Sequence, residues 1–384
     1  MNELQSRNNP ERVMAAMSGG VDSSVMALLL HQEGYEVTGV TMKLRHDEQE
    51  VPQEVFESGV KALGVSCSNN TCCSLEDVED AKAVCRRIGV PHYTFNFGDR
   101  FQETVIDKFC NSYHEGLTPN PCIDCNRYLK FESLQRRRKE LDLDYVATGH
   151  YVRRVFNEDT GLWELWRATD LKKDQSYVLF HLTQDTLAHM LFPLGELTKP
   201  EVREYAREFG LITADKPESQ DICFVPDGNY VGFIERATGC AAPAFQPGPI
   251  VNREGKILAT HRGLIHYTIG QRKGIGVAAP RPLFVYEKRP LTNELVVGFA
   301  EEVLSEGVEV GDVNFISGIT PTEPLKVQVK THYRQSPVPA TAYMQEDGLL
   351  YISYDRPQRV AAPGQAAVLY DGEKVLGGGT IVTG

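Results

Sequence analysis

A chain of 384 residues, 41% apolar and 24% charged, is ordinary for a soluble globular protein and suits two or three domains. It has no run of about 18 apolar residues and only a polar stretch at Met1–Glu11, so neither a transmembrane helix nor a secretory signal is expected, and the cytoplasm is the default location. Nine cysteines, an odd number in a long chain, argue against a disulfide framework, and a net charge of −12 confines any nucleic-acid contact to local basic patches.

In chain order, the apolar run at Met14 leads into Ala16-Met17-Ser18-Gly19-Gly20-Val21-Asp22-Ser23-Ser24 and then an apolar-periodic stretch through Leu30. The pattern predicts a strand, a glycine-rich loop and a helix. Backbone N–H groups at such a turn, with the positive end of the helix, suit a phosphate. No lysine precedes the serines, so the loop is not a Walker A motif. The plainer alternative is a glycine turn between a strand and a helix.

Strands are predicted at Tyr35–Met42, Pro91–Asn96 and Tyr145–Thr148. Helices are predicted at Leu75–Ile88 with Ser74 as N-cap, at Arg100–Tyr113 and at Arg127–Glu140, with weaker helical periodicity near Val55–Leu63. This alternation predicts an α/β fold with a doubly wound parallel sheet and ligands at the carboxyl ends of its strands. A hairpin of Tyr151–Phe156 with Trp163–Ala168 and helices at Thr183–Leu191 and Lys199–Gly210 follow. From Pro226 onward helical runs are expected to disappear, and period-2 stretches with Asp347-Gly348, Pro363-Gly364 and Asp371-Gly372 turns predict two small β domains, the last a β-barrel. The expected domains are 1–225, 226–302 and 303–384.

Two cysteine stretches stand out. Asn120-Pro121-Cys122-Ile123-Asp124-Cys125 carries a Cys-x-x-Cys in a turn between helices, a spacing that suits metal, redox chemistry or incidental loop cysteines. Ser219-Gln220-Asp221-Ile222-Cys223-Phe224 places a cysteine between two apolar residues, the usual setting of a buried core thiol. Cys67, Cys72 and Cys73 sit in a polar stretch that reads as an ordinary insertion.

The string Ser18–Ser24 resembles the loop of the PP-loop ATP pyrophosphatase superfamily. Joined with the two cysteine stretches, Ala147–Tyr151, Lys172–Tyr177, Tyr267–Gly274, Tyr333-Arg334-Gln335 and Pro363-Gly364-Gln365, it resembles the tRNA-specific 2-thiouridylase (MnmA) family from about Arg12 to the C-terminus. The resemblance implies a PP-loop, adenine nucleotide hydrolase-like domain that binds ATP on Ala16–Ser24, with Met42 and Gly149 framing the nucleoside. It implies Mg²⁺ on the pyrophosphate and adenylation of C2 of a wobble uridine in tRNA of the Lys, Glu or Gln type. Sulfur would arrive as a persulfide on Cys223 from a cysteine desulfurase or sulfur-relay protein, and Cys125 would release it, leaving a Cys125–Cys223 disulfide for a reductant to reopen. Asn120, Pro121 and Cys122 would meet the target base, and Lys173, Asp174, Gln175, His332, Tyr333 and Arg334 the tRNA. The chain departs from the family pattern at Cys122, where many members carry aspartate, and at His332, where arginine is expected. A second mechanism stays open, in which Cys122, Cys125 and Cys223 hold a [4Fe–4S] cluster with one open iron.

Basic patches for tRNA are offered by Arg136–Lys139, Arg153-Arg154, Arg262 with Gln271-Arg272-Lys273, and Lys330 with Tyr333-Arg334; a charge run on a helix is equally well a solvated face. Two other function classes remain on the residues alone. One is a PP-loop synthetase acting on a small molecule, which would need neither Cys125 nor Cys223. The other is an RNA-binding protein with a relic nucleotide site. A monomer is expected, since no long exposed apolar stripe is evident.

Overall fold

The computed structural model describes residues 10–44, 75–218, 222–225, 227–239 and 242–383. The Val55–Leu63 periodicity, Cys67, Cys72, Cys73, Ser74 and Ser219–Asp221 lie outside those residues. The chain opens with β1 (Arg12–Ala16), α1 (Val21–Gln32), β2 (Glu36–Lys43), α2 (Leu75–Ile88) and β3 (His92–Asn96). Helix α3 runs through Gly98–Phe101, Gln102–Asp107 and Lys108–His114, and α4 through Pro121–Asp124, Cys125–Ser133 and Leu134–Glu140. The middle segment of each is wound as a π-helix, whose wider turn shifts which side chains face the core. Next come β4 (Tyr145–Ala147), β5 (Val152–Asn157), β6 (Leu162–Arg167), α5 (Gln184–Ala188), β7 (Met190–Leu191) and α6 (Lys199–Glu208).

The first sheet has the order β3-β2-β1-β4-β7 and is parallel throughout. The order reverses between β1 and β4, and the crevice beyond their carboxyl ends is where a doubly wound sheet binds ligands. Val13, Met14, Ala15, Val146 and Ala147 are fully buried between the helical layers, each larger aliphatic among them contributing roughly 1.5–3 kcal/mol by burial. The expected helix over Thr183–Leu191 is corrected at its end. Met190 and Leu191 pair with Val146 and Ala147 as an edge strand, because the two apolar residues complete the sheet better than a further helical turn.

Past residue 226 the expectation of no helix is overturned by α7 (Tyr230–Thr238). Asn229 caps it by accepting from Gly232 N–H, and Phe233 packs 5.2 Å from the ring of Phe224. The tertiary contact supplies what the glycine and proline punctuation around it obscures. A four-stranded sheet then orders β8 (Gly248–Asn252), β9 (Ile257–His261), β10 (Phe284–Arg289) and β11 (Glu294–Gly298) as β10-β11-β8-β9.

The last region contains β12 (Leu304–Phe315), β13 (Leu325–Lys330), β14 (Val338–Met344), β15 (Leu350–Arg359), β16 (Ala366–Asp371) and β17 (Lys374–Thr383). They pair in the order β12-β15-β14-β13-β16-β17, and β12 also pairs with β17, which closes a six-stranded barrel as expected. Strand β17 goes on to pair with β6, Lys374 opposite Trp166 and Val375 opposite Leu165, so the β5–β6 hairpin is sewn onto the barrel. No helix among the described residues is long and apolar enough to cross a membrane.

Candidate active site

Residues Met17–Gly20 turn at the carboxyl end of β1, where Met17 N–H donates to Val40 O at 2.8 Å. Gly19 has φ +70°, and a Cβ there would meet the Asp77 carbonyl oxygen at 2.4 Å. Gly20 caps α1 with extended backbone and no side-chain cap. Ser23 Oγ lies 3.2 Å from Ser18 Oγ and accepts from Ser18 N–H at 3.1 Å, which folds the loop over the first turn of α1. Ser24 is fully buried, donating to Gly20 O at 2.8 Å and receiving a 3.0 Å bond from Thr213. Ser23 also donates to Gly20 O at 3.1 Å, so Ser23 and Ser24, both buried, build the turn, while Ser18 is exposed on it. Gly149 packs directly against this turn, since a Cβ there would stand 3.0 Å from Ser23 N. The ends of β1 and β4 therefore enclose one anion nest at the helix N-terminus.

The loop has no lysine of its own, and other elements supply the cations. Lys199, buried at the start of α6, donates to both Asp22 oxygens at 2.6 and 2.8 Å and lies 3.2 Å from Glu218. The Tyr151 hydroxyl donates to Asp22 at 2.7 Å; burial and the Asp22 charge push its phenol far up, so it remains a donor. Lys173 pairs with Glu218 at 2.5 Å, and Lys216 with Asp77 at 2.7 Å and Asp80 at 2.5 Å. Burial opposes ionisation of Glu218, but Lys173 and Lys199 outweigh it and hold the carboxyl below its usual range. Lys199, Glu218, Thr213 and Lys216 escaped the sequence reading. The Thr198–Glu201 capping box announces a helix start at Lys199, yet nothing local aims that lysine at Asp22.

The Asn120–Cys125 turn is the N-terminus of α4. Asn120 Oδ1 accepts from Cys122 N–H at 3.2 Å and Pro121 occupies the first helical position. Cys122 is exposed, whereas Cys125 and Cys223 are half-buried against one core cluster. Phe224 anchors the second cysteine, its ring lying 5.8 Å from Phe101 and 5.2 Å from Phe109. The fully buried residue of that stretch is thus Phe224, and Cys223 beside it is half-buried on the same cluster. Cys122, Cys125 and Cys223 stand as thiols. Asp124 is buried and receives Lys108 at 2.6 Å; burial raises its carboxyl and Lys108 works against that. Among the described residues no three His, Cys, Asp or Glu side chains group so as to hold a metal ion. The described residues thus give no support to an iron–sulfur centre on Cys122, Cys125 and Cys223.

The residues expected at the tRNA differ in their surroundings. Tyr333 is 42% exposed and its hydroxyl donates to Asp174 O at 3.4 Å. The buried Lys330 ammonium stands 5.8 Å from the Tyr333 ring and 5.6 Å from that of Tyr177. His332 and Arg334 flank Tyr333 and are exposed. Asp174 is buried, receiving Arg167, Ser176 and the Ala168 N–H, so its carboxylate braces its own loop. Gln175 is held by Tyr151 N–H at 2.9 Å. Lys173 pairs with Glu218, the carboxylate that also meets Lys199. Leu117 and Thr118, just before the cysteine turn, are gripped from two sides: Thr118 N–H donates to Pro363 O, Gln365 to Thr118 O, and Lys288 to Leu117 O.

Comparison with known proteins identifies the domains and the family. Residues 11–227 match the family model described as tRNA methyl transferase HUP domain, 240–299 the tRNA methyl transferase PRC-barrel domain, and 305–381 the aminomethyltransferase beta-barrel domain. A tRNA-specific 2-thiouridylase MnmA of Carboxydothermus hydrogenoformans is 46% identical over 371 residues, covering 97% of this chain and 97% of that one. Those of Symbiobacterium thermophilum and Clostridioides difficile are 46% and 44% identical, each over 97% of this chain and over 92% and 98% of their own lengths. With the loop, the two thiols and the barrel all in place, the chain belongs to the tRNA-specific 2-thiouridylase family.

Proposed function

We propose that this protein is an ATP-dependent tRNA sulfurtransferase that converts a wobble uridine to 2-thiouridine. The observation that carries the reading is the pairing of a phosphate nest at the β1/β4 crevice with two half-buried thiols, Cys125 and Cys223, on one core cluster. The Ser18–Ser24 loop holds the ATP phosphates, and Met42 and Gly149 flank the nucleoside. The C2 oxygen of the uridine attacks the α-phosphorus, the bond to the β-phosphate breaks, and pyrophosphate leaves. Asp22 is the carboxylate that would share Mg²⁺ with the phosphates, an ion whose role is to neutralise their charge.

Cys223 carries the persulfide. The Cys125 thiolate attacks the inner sulfur, forming the Cys125–Cys223 disulfide and releasing hydrosulfide. Hydrosulfide adds at C2, and AMP departs with the original oxygen. A dithiol reductant then returns both cysteines to thiols with two electrons. The start of α4 favours a thiolate at this turn. Arg127 is largely committed, its guanidinium bridging Asp312 of the barrel. Asn120, Pro121 and Cys122 receive the extruded base, since chemistry on a base requires it unstacked. tRNAs of the Lys, Glu and Gln type, a persulfide-donating desulfurase or relay protein, a monomeric state and a cytoplasmic site complete the reading on family likeness.

The test is thiolation of unmodified tRNA with ATP and a persulfide donor. Cys223→Ser is expected to abolish thiouridine while pyrophosphate release persists. Full thiolation by that variant would overturn the persulfide role. Adenylation of a small molecule without tRNA would favour the synthetase reading instead.

A further inference from the structure

The short segment between α3 and the cysteine turn is set by parts of the chain far from it in sequence. Leu117 N–H donates to Ser112 O at 2.8 Å, at the end of α3. The other backbone groups of Leu117 and Thr118 find their partners on the central sheet and the barrel. Lys288 Nζ of β10 donates to Leu117 O at 3.4 Å, Thr118 N–H donates to Pro363 O at 2.8 Å, and Gln365 Nε2 donates to Thr118 O at 2.8 Å. Pro119 has no N–H to offer, and Asn120 already caps α4. The approach is close on both sides. Gly116 has φ +79°, and a Cβ there would stand 2.7 Å from Pro290 Cγ; Gly364 has φ +89°, and a Cβ there would stand 3.0 Å from Thr118 N.

Both supports are themselves fixed. Lys288 lies opposite Leu295 in the β10–β11 ladder. Gln365 O accepts from Ile381 N–H at 2.7 Å, and Gly364 N–H donates to Ile381 O at 2.9 Å. Lys288 is the costly member of the pair. It is 8% exposed, burial disfavours its ammonium, and among the described residues it forms no ion pair and donates only to Leu117 O. An apolar chain of the same length would fill that space without desolvating a charge. What the ammonium adds is one donor, aimed at the carbonyl three residues before Asn120. Gln365 adds the matching donor on the next carbonyl.

We propose that Lys288 and Gln365 are positioning residues for the sulfurtransferase reaction: held by the central sheet and the barrel, they fix the Leu117 and Thr118 carbonyls and so place Asn120, Pro121 and Cys122 where the target uridine enters. This rests on the sulfurtransferase reading. Both residues act through the backbone of the turn. A misplacement of about 1 Å in such a turn can cost roughly 100-fold in rate, so the reaction depends on both β units being docked against the segment.

The experiment measures single-turnover thiolation of unmodified tRNA, with ATP and a persulfide donor, against tRNA concentration for the full chain as wild type, Lys288→Met, Lys288→Arg and Gln365→Leu. Lys288→Met should lower the maximal rate roughly 10–100-fold and leave the half-saturating tRNA and ATP concentrations within about twofold. Lys288→Arg, which keeps a charged donor, should regain most of that rate. Gln365→Leu should lose rate in the same way, and the double variant should lose less than the product of the two, because both act on one segment. Hydrogen exchange at the Thr118 amide should quicken about fivefold in Lys288→Met, the effect of one lost hydrogen bond, at an equal or higher melting temperature. A wild-type maximal rate in Lys288→Met would overturn the proposal, as would a rate loss with Thr118 exchange unchanged. Weaker tRNA binding at an unchanged maximal rate would overturn it too, making Lys288 a tRNA contact. Wild-type protein that thiolates no tRNA would defeat the sulfurtransferase reading, while Thr118 exchange would still decide whether Lys288 holds the turn.

Discussion

Gly19 and Gly20 are neighbours with opposite requirements, and substituting each by alanine separates a backbone demand from a general dislike of side chains in the loop. Gly19 has φ +70°, where a Cβ costs roughly 1–2 kcal/mol. That Cβ would also stand 2.4 Å from Asp77 O, against ordinary contact at 3.4–4 Å, so α2 must retreat by about 1 Å. Forced shifts of this kind cost roughly 1–3 kcal/mol. Reduced freedom of the unfolded chain returns about 0.4–1 kcal/mol, leaving Gly19→Ala destabilising by about 1–4.6 kcal/mol, and by about 3 at the middle of each range. Gly20 has φ −96°, and its nearest foreign atom is Ser18 Oγ at 3.6 Å, so Gly20→Ala should stay within about 1 kcal/mol of wild type. Urea unfolding of the first transition, followed by far-UV circular dichroism, gives both numbers, and calorimetric ATP titration reports the loop. Because Asp77 also holds Lys216, Gly19→Ala should weaken ATP binding as well. Losses within about 0.5 kcal/mol of one another in the two variants would refute the argument.

Lys199→Met removes the buried partner of Asp22 and Glu218 and should destabilise by about 3 kcal/mol, the low end for breaking a buried pair because Asp22 is 32% exposed; urea melts of the single and Asp22→Asn double variant check it, the double costing less than the sum. Lys288 is buried and, among the described residues, donates only to Leu117 O, and burial lowers its ammonium to about 8. The unfolded chain then binds more protons between pH 8 and about 10.4, so stability gains up to about 3 kcal/mol from this group as pH rises through that window. Lys288→Met should flatten the rise and be the more stable protein at pH 7, read from melting curves across pH. Burial pushes the Cys85 and Cys110 thiols up to about 11, so iodoacetamide at pH 8 should leave both unmodified in the folded protein while exposed Cys122 reacts first, as peptide mass spectrometry would show.

The strand–loop–helix turn at Ser18–Ser24 and the alternating strands were legible because their signals are local: glycine beside serine, apolar runs of strand length, a helical period after the turn. The closing barrel was legible from its alternation and turns. What escaped depends on distant partners. Lys199 and Asp22 are 177 residues apart, and no spacing announces their bond. Asp174 reads as an exposed polar loop residue until Arg167 and Ser176 close around it. The short β7 exists only because β4 offers it an edge, and α7 only because Phe109 and Phe224 receive Phe233. The basic helix at Arg136–Lys139 reads as an unbroken charge run in one dimension, whereas in three Arg138 is buried and Arg137 and Lys139 meet Glu140 and Asp185.

The union of β6 with β17 has a consequence for biosynthesis. Glu164 on β6 and its partner Lys374 on β17 are 210 residues apart, and a ribosome adding about 5–20 residues each second separates their emergence by roughly 10–40 s. Throughout that interval the β5–β6 hairpin leaves the tunnel with one edge unpaired, a site where another nascent chain can add a strand. The β5–β6 hairpin thus gains its barrel-side partner only once β17 is made, and a message truncated before Lys374 yields a chain whose β6 edge stays open.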